Sequence, residues 1–389
     1  MRLEEVCEFI VDCPHSTAQN EGAGYPLIRT PNIGRGRLLL DGVHRVSKTV
    51  YNKRNQRAVP QEGDLIFARE APAGNVALIS AGQQVCLGQR TVLIRPDKNR
   101  VDPAYLTFYL LTPECQHALL STANGATVAH VNLPTIRQLP ISLPPLKEQQ
   151  KIAGILSAYD DLIDNNQQQI KLLEEAVKLY LLNFFKENNS NHWTNYAFPE
   201  VFDVIRGRSY KSADIASSTG KLFVNLKNIK AWGGYKRNAE KRYSGEFQHC
   251  QTLLPGDLIM GMTDMTQDRR LVGHVAKVPH LNEEAIFSMD IAKIVPKVGT
   301  ANYLYYYLRY SDVSTSIANL ANGANVLHLR QESLKSIMLK LPSDELIAKF
   351  DTLTSPIATQ IELLEDCNQL LQEARDRLLP KLLSGEIEV

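Results

Sequence analysis

The sequence predicts an α+β protein built as a tandem, pseudo-twofold repeat. Two mixed, β-rich domains are expected, separated by two long helices that form an antiparallel coiled coil. Two observations carry this prediction: a long internal repeat, and heptad-like spacing of apolar residues in the middle and at the end of the chain. A length of 389 residues is also typical of a protein with more than one domain.

The repeat is clearest in two octamers. ANGATVAH at 123–130 and ANGANVLH at 321–328 are identical at six of eight positions. Upstream, EGDLIF at 62–67 matches PGDLIM at 255–260, at nearly the same offset. Two copies of about 190 residues therefore follow each other, which indicates a pseudo-dimer rather than a solenoid of short units.

Each copy predicts short strands followed by a helix. Apolar runs such as LIFAR and TVLIR alternate with turn residues. Asp102 and Pro103 predict the N-cap and first position of the helix AYLTFYLL, whose counterpart is NYLYYYLRY. We expect Asn124-Gly125 and Asn322-Gly323 to end these helices, because Asn and Gly tolerate a left-handed backbone.

Two segments with few prolines predict the long helices. In the first, apolar residues fall at 152, 155, 159 and 162 and again from 170 to 184, in the a/d rhythm of a coiled coil, and Asn166 lies on this seam. Pro356 is expected to kink or restart the second helix. Each helix should span roughly 55 Å at 1.5 Å per residue. The alternative is that each helix covers only its own domain.

The helical residues that we predict to form the coiled coil or to bind a partner lie on both segments. They are Leu146, Glu148, Gln149, Ile152, Ile155, Tyr159, Leu162, Asn166, Leu173, Phe350, Leu353, Ile357, Leu364, Leu371 and Leu378. A pseudo-twofold relation between the copies would place the two helices antiparallel.

The net charge of +1 conceals a partition of charge along the chain. Residues 29–57 hold eight Lys and Arg against one acid, and residues 206–242 hold ten against two, whereas residues 344–389 hold ten acids and four bases. Cations interleaved with aromatic residues such as Trp232 are typical of a polyanion surface. One such segment equally fits a solvated loop, but two at matching positions favour nucleic acid. The DNA-binding candidates are Arg29, Arg54, Arg69, Arg90, Arg208, Lys227, Arg237, Arg269 and Arg270.

Motifs for catalysis and metal binding are missing from the sequence. There is no phosphate-binding loop, no G-x-G-x-x-G after a strand, no H-E-x-x-H and no Asn/Asp-Pro-Pro-aromatic motif of an amino-methyltransferase. His130 and His328 recur, but without a shared Ser, Asp or Cys partner, so we expect them to pack or to stabilise a turn. The sequence therefore predicts no catalytic residue, no metal site and no cofactor in this chain.

Compartment signals are also plain. The six cysteines form no C-x-x-C pair, and no apolar run approaches the roughly 18 residues of a membrane span. The first residues carry acids and lack a long apolar stretch, so no signal peptide is expected. A cytoplasmic location fits these features best.

Several motifs together resemble the specificity (S) subunit of type I restriction–modification systems. They are YPLIRTPNI, GDLI, LPPLKEQQKIAGIL at the start of the first long helix, and LLPKLLSGEI near the end. The resemblance covers essentially the whole chain. The second helix departs from the pattern, because LPSDELIAKF lacks the second proline and the Glu-Gln pair. The two partner contacts are therefore not expected to be strictly symmetric.

The resemblance implies four segments: target-recognition domain 1 at 1–143, a central conserved helix at 144–190, target-recognition domain 2 at 191–343 and a C-terminal conserved helix at 344–389. Each domain would read one half of a bipartite, asymmetric sequence in double-stranded DNA, and the helices would set the spacer. Two methyltransferase (M) subunits would dock on the chain and methylate adenines from S-adenosylmethionine. Restriction (R) subunits, which use ATP and Mg, would join them to cleave unmodified DNA.

Three other interpretations stay open at this point. In the first, the chain is a non-catalytic scaffold that binds protein through its helices and shows no salt-dependent affinity for DNA. In the second, it is a catalytic nucleic-acid enzyme, although the missing motifs argue against this. In the third, it is an S subunit that serves methylation alone.

Overall fold

The structure is a computed structural model of the chain. It describes residues 1–121, 130–188, 193–216, 219–237 and 239–389. The Asn124-Gly125 pair, predicted to end a helix, lies outside these residues.

The backbone divides into two compact units. Unit 1 comprises residues 1–165 together with 367–389, and unit 2 comprises residues 166–366. Each unit thus joins one copy of the β-rich repeat to part of both long helices. The division into four segments stays a prediction.

The described part of unit 1 is built around a five-stranded sheet. The strands of unit 1 are β1 (Cys7–Asp12), β2 (Tyr25–Ile28), β3 (Gly36–Arg37), β4 (Arg45–Val46), β5 (Leu65–Ala68), β6 (Val76–Leu78), β7 (Cys86–Leu87) and β8 (Thr91–Pro96). The sheet has the order β1-β8-β5-β6-β3, and β4-β2-β7 form a smaller one. The helices are α1 (Lys48–Arg54), α2 (Pro103–Leu110), α3 (Pro113–Leu120), α4 (Leu133–Arg137), the first part of α5 (Leu146–Glu187) and the end of the C-terminal long helix.

Unit 2 repeats this plan with more strands. They are β9 (Thr194–Ala197), β10 (Phe202–Arg206), β11 (Ile215–Ala216), β12 (Lys221–Val224), β13 (Lys241–Tyr243), β14 (Thr252–Leu253), β15 (Leu258–Gly261), β16 (Thr263–Asp264), β17 (Val275–Lys277), β18 (Ala285–Phe287), β19 (Ile291–Pro296), β20 (Leu327–His328) and β21 (Met338–Leu341). The central sheet has the order β10-β19-β15-β17, and β11-β13-β12-β18-β14 form a second. The helices are the last part of α5, α6 (Phe198–Val201), α7 (Ala301–Tyr310), α8 (Val313–Asn319) and the first part of α9 (Asp344–Leu383).

The GDLI strands are apolar along their whole length because both of their faces are covered. Leu65 and Phe67 of β5 enter one apolar cluster of unit 1, and Ile66 between them enters another. Successive side chains of a strand point to opposite faces, so a strand between two cores reads as a continuous apolar run. In unit 2, Leu258 and Ile259 of β15 divide in the same way.

The long helices pair antiparallel inside each unit, as predicted. In unit 1, Lys151 donates to the carbonyl of Val389 (3.1 Å) and Arg375 pairs with Asp160, so the numbering of α5 rises as that of α9 falls. In unit 2, the ring of Phe350 lies 5.4 Å from the ring of Tyr180. The helices contain 42 and 40 residues, or about 63 and 60 Å at 1.5 Å per residue.

α9 continues through Pro356, so the helix does not restart there, and the predicted kink at Pro356 stays a prediction. The prediction that Asn322-Gly323 ends a helix was wrong. α7 stops at Tyr310 and α8 at Asn319, and Asn322 then forms a bridge with His328 around a turn in which Gly323 has a φ of 155°. A Cβ at residue 323 would lie 1.9 Å from the carbonyl oxygen of Val326, so the glycine serves this turn.

Other local predictions are confirmed. The side chain of Asp102 accepts a hydrogen bond from the amide of Tyr105 (2.9 Å), and Pro103 opens α2. None of the helices in the described ranges combines the length and the apolar character that crossing a bilayer requires.

Candidate nucleic-acid interface

In unit 1, the end of strand β5 lies beside the start of strand β8, and the chain that follows the first octamer joins them there. The amide of Arg69, just after β5, donates to the carbonyl of Arg90, just before β8 (2.9 Å). The amide of Val131 then donates to the carbonyl of Arg69 (3.0 Å). The last residue of the octamer, His130, is thereby placed at this end of the sheet.

The corresponding end in unit 2 is built by the same two bonds. The amide of Met262 donates to the carbonyl of Asp290 (2.8 Å), and the amide of Leu329 donates to the carbonyl of Met262 (2.8 Å). The repeated octamer therefore marks the place where the chain returns to the end of the central sheet.

We name these two sites by the side chains around them. The unit 1 edge is Asp12, Arg69, Glu70, Arg90 and His130, and the unit 2 edge is Arg208, Trp232, Met265, Arg270 and Met289. Within the second set, two pairs are joined through their backbone: the amide of Met289 donates to the carbonyl of Arg208, and that of Trp232 to the carbonyl of Arg270 (both 2.9 Å).

Backbone strain is concentrated at these edges. Among the non-glycine residues that the structure describes, φ is positive only at Ala71 (37°), Arg90 (62°), Trp232 (66°) and Arg269 (54°). A conformation of this kind costs an L-residue on the order of 1–3 kcal/mol and is typical of binding sites. All four residues belong to an edge or adjoin one of its members in sequence.

The unit 1 edge is a chain of charged hydrogen bonds. Arg69 contacts Asp12 (2.8 Å) and the Nε2 atom of His130 (2.7 Å), while the Nδ1 atom of His130 lies 2.6 Å from Glu70. A guanidinium only donates, so Nε2 must accept and the ring proton must be on Nδ1, facing Glu70. Glu70 also binds Arg90, whose side chain is 61% exposed.

The unit 2 edge is shaped by one buried carboxylate. Asp264 accepts hydrogen bonds from the amides of Leu271 (2.7 Å) and Thr266 (2.8 Å), and so fixes the loop that carries Met265 and Arg270. Burial alone would raise the pKa of Asp264, but these hydrogen bonds outweigh it and hold the pKa below its ordinary value.

Apolar side chains lie exposed on this second edge. Met265 is 77% exposed, Trp232 56% and Met289 44%. The ring of Trp232 rests edge-on against His274 at 5.4 Å. Burial lowers the pKa of His274, so the indole packs on a ring whose neutral form is favoured.

Three of the predicted DNA-binding cations are held inside their unit. Arg54 is 5% exposed and donates to the carbonyls of Leu87 and Ser16 (2.5 and 3.0 Å). Arg69 is held as described above, and Arg237 pairs with Asp366 on α9 (2.7 Å). Their role in binding DNA stays a prediction.

The other predicted cations are more accessible. Arg90 and Arg270 belong to the edges, Lys227 is exposed, and Arg29, Arg208 and Arg269 are half-buried. The sequence pattern pointed to the cations and to Trp232 but missed Met265 and Met289, because nothing in a single sequence distinguishes an exposed methionine from a core one.

The acids of the long helices neutralise part of the basic segments. In unit 1, Arg37 pairs with Asp160 (3.7 Å) and with Asp164 on α5. In unit 2, Lys230 pairs with Glu365 on α9 (3.2 Å). The partition of charge along the chain therefore also fastens each β-rich domain to a helix.

The predicted helical residues fall into three groups. Ile152, Gln149, Asn166 and Phe350 are buried, and Ile155, Leu162 and Leu353 are exposed; Leu146, Glu148, Tyr159, Leu173, Ile357, Leu364, Leu371 and Leu378 are half-buried. Ile155, Leu162 and Leu353 therefore lie off the buried face of their helices, and their predicted role in the coiled coil or in partner binding stays a prediction. The inward face instead carries Ile152, Leu156 and Ile163, because an α-helix turns every 3.6 residues and drifts away from a strict heptad.

Gln149 belongs to the connection between helix and domain. Its side-chain oxygen accepts from the amide of Asp102 (3.0 Å), and its nitrogen donates to the carbonyl of Pro144 (2.8 Å). The partner-binding role predicted for Gln149 stays a prediction, but its hydrogen bonds are made within unit 1.

Comparison with known proteins agrees with this architecture. The family model described as "Type I restriction modification DNA specificity domain" matches residues 1–175 and again 190–373. The chain is 23% identical to the type I restriction enzyme MjaVIII specificity subunit of Methanocaldococcus jannaschii, over 86% of this chain and 81% of that protein. It is also 23% identical to the putative MjaX specificity subunit of that organism, over 100% and 93% of the two chains.

A solved structure shares the fold. The crystal structure of the type I restriction–modification system S subunit from M. genitalium matches with a TM-score of 0.55 at 14% identity, covering 98% of this chain and 95% of that one. Two specificity domains in tandem, each attached to long helices, define a protein that confers DNA sequence specificity. The chain belongs to the family of type I restriction–modification specificity subunits, which are the non-catalytic subunits of these systems.

Proposed function

We propose that this chain reads a bipartite, asymmetric sequence in double-stranded DNA, one half with each edge, and positions two adenine-N6 methyltransferase subunits on it. The observation that carries the proposal is the pair of edges: the same two backbone bonds frame different side chains in the two units. Equivalent supports with different chemistry are what two different half-sites require, because base edges are distinguished by the side chains that meet them.

Affinity would come from the exposed cations of the edges. Arg90 and Arg270 have side chains that are 61% and 44% exposed, so each is available to a phosphate oxygen. The pairing of basic segments with helix acids supports a fixed presentation of each edge, since the domain and the helix in a unit are tied by charge as well as by apolar packing.

The long helices offer the surface for the partner subunits. Large apolar side chains remain exposed on both, namely Ile155, Leu162, Leu172 and Leu179 on α5, and Leu353, Leu363 and Leu370 on α9. Exposed apolar side chains along one element are typical of protein–protein contact. S-adenosylmethionine would be held by the methyltransferase subunits, and ATP and Mg by restriction subunits where these join.

A map of N6-methyladenine in host DNA, with and without the gene, tests the proposal. Loss of methylation at one motif of two short blocks around a fixed gap is the expected result. Exchange of residues 1–143 for those of another S subunit should then alter one block only. An unchanged map, in a host that expresses the methyltransferase subunit, would instead support a protein-binding scaffold.

The docking surface has a separate test. Leu162→Glu should reduce the methyltransferase recovered with the chain, while the free energy of unfolding changes by less than about 0.5 kcal/mol, because Leu162 is already 51% exposed. Gln168→Glu adds the same charge at another exposed position of α5 and is the matched control. Equal recovery with both variants would exclude Leu162 from the contact.

A further inference from the structure

The unit 2 edge has an apolar character that the unit 1 edge lacks. Met265, Trp232 and Met289 are all exposed there, whereas the unit 1 edge consists of charged side chains and a histidine. Exposed apolar side chains are ordinary when scattered. These three belong to one edge, where the backbone amides of Met289 and Trp232 donate to the backbone carbonyls of Arg208 and Arg270.

These apolar side chains are held in place by the fold. The loop that begins at Met265 is fixed by the bonds from Leu271 and Thr266 to Asp264. Trp232 is turned outward by its left-handed backbone and is supported by His274. A surface ordered before contact loses less conformational entropy when its ligand arrives.

The chemistry of DNA limits the groups that an apolar surface of this kind can contact. In the major groove, the C5 methyl group of thymine is the one apolar group that a base pair presents, and apolar side chains contact it. Arg208 and Arg270 supply positive charge for phosphates at this edge. The apolar side chains are left for base edges, because a phosphate offers them no apolar partner.

We propose that Met265, with Trp232 and Met289 on the same edge, contacts thymine methyl groups in the half-site that unit 2 reads. This inference rests on the proposed function. It requires at least one A·T pair in that half-site, and it makes the methyl group itself, rather than a hydrogen bond, part of the specificity.

Replacement of thymine by uracil tests the inference, since only the methyl group is removed. The full chain in complex with its methyltransferase subunit is titrated with a duplex carrying the mapped target, and then with duplexes in which each thymine of the unit 2 block is replaced by deoxyuridine. We expect one replacement to weaken binding by about fourfold, the value of one buried methyl-sized group. Met265→Ala should bind the thymine duplex and the uracil duplex that weakens the wild type equally.

The control is Leu254→Ala. Leu254 is also apolar and 64% exposed, but it precedes β15, whereas the unit 2 edge follows that strand. This variant should keep the preference for thymine. Met289→Ala is a second test of the preference for thymine, because the side chain of Met289 is also exposed and its truncation leaves the backbone bond to Arg208 in place.

Three results would overturn the inference. They are equal binding of both duplexes by the wild-type complex, a unit 2 block without A·T pairs, or a Met265→Ala variant that binds every duplex more weakly but keeps its preference for thymine. The last result would indicate insertion of the side chain between base pairs. Failure of the complex to bind the target at all would instead contradict the proposed function.

Discussion

Arg69 of the unit 1 edge and Met262 of unit 2 occupy equivalent positions in the two copies, but their side chains have opposite environments. Each donates and accepts the same backbone bonds, yet Arg69 extends into a network with Asp12 and His130, while Met262 enters the apolar core. The difference teaches that the repeat preserves the backbone connection and leaves the side chain free to vary. Variation of this kind lets one framework carry two specificities.

The largest effect is expected from making the two positions alike. Arg69→Met should lower the free energy of unfolding by about 3 kcal/mol, because the partly buried carboxylate of Asp12 and the carbonyl of Val131 lose their donor. Chemical denaturation measures the change. The double variant Arg69→Met with Asp12→Asn should recover part of it, and a single variant as stable as the wild type would show that the network does not stabilise unit 1.

The next effect concerns the carboxylate of the unit 2 edge. Asp264→Ala should cost about 2 kcal/mol, because buried amides such as that of Leu271 lose their acceptor. Loss of the ordered loop should also weaken DNA binding through unit 2. The base sequence of the other half-site, which unit 1 reads, should stay the same in the methylation map. Asp264→Asn keeps one acceptor oxygen, so its free energy of unfolding should lie between those of the wild type and Asp264→Ala.

This carboxylate also predicts a dependence on pH. The pKa of Asp264 is lower in the folded chain than its ordinary value of 3.8. Its ionised form therefore contributes stability that is fully present above that value and is lost as the pH falls through the lower, folded pKa. The difference in unfolding free energy between the wild type and Asp264→Asn should be constant near neutral pH and shrink in acid. A difference that grows in acid would contradict the assignment.

The smallest effect compares the exposed cations of the two edges. Arg90→Ala and Arg270→Ala should each weaken DNA binding by about fivefold at 0.15 M salt and reduce the salt slope by about one, if each contacts a phosphate. Arg242→Ala is the control, because Arg242 belongs to neither edge and donates to Glu283 through both of its terminal nitrogens. A change of preferred sequence, with an unaltered salt slope, would instead make that arginine a base reader.

Much of the fold followed from patterns along the chain. The repeat, the GDLI strands, the cap at Asp102 and the antiparallel long helices depend on local spacing and on burial of apolar faces, which a sequence records directly. The phase of the helix seam did not follow, since Ile155 and Ile152 both fit a three-four rhythm and only packing against the domain core selects Ile152.

For the two edges, the sequence and the tertiary structure also determined different features. The sequence by itself determined that two copies carry cations and a recurring octamer, because composition and identity need no third dimension. The tertiary structure alone decided which cations are exposed: Arg54 and Arg237 look like Arg90 and Arg270 in sequence, but carbonyls and a helix carboxylate hold the first two away from solvent. It also decided that Met265 faces solvent at a sheet end. A side chain acquires such a role from distant partners, and the distance along the chain between Arg237 and Asp366 carries no sign that they will meet.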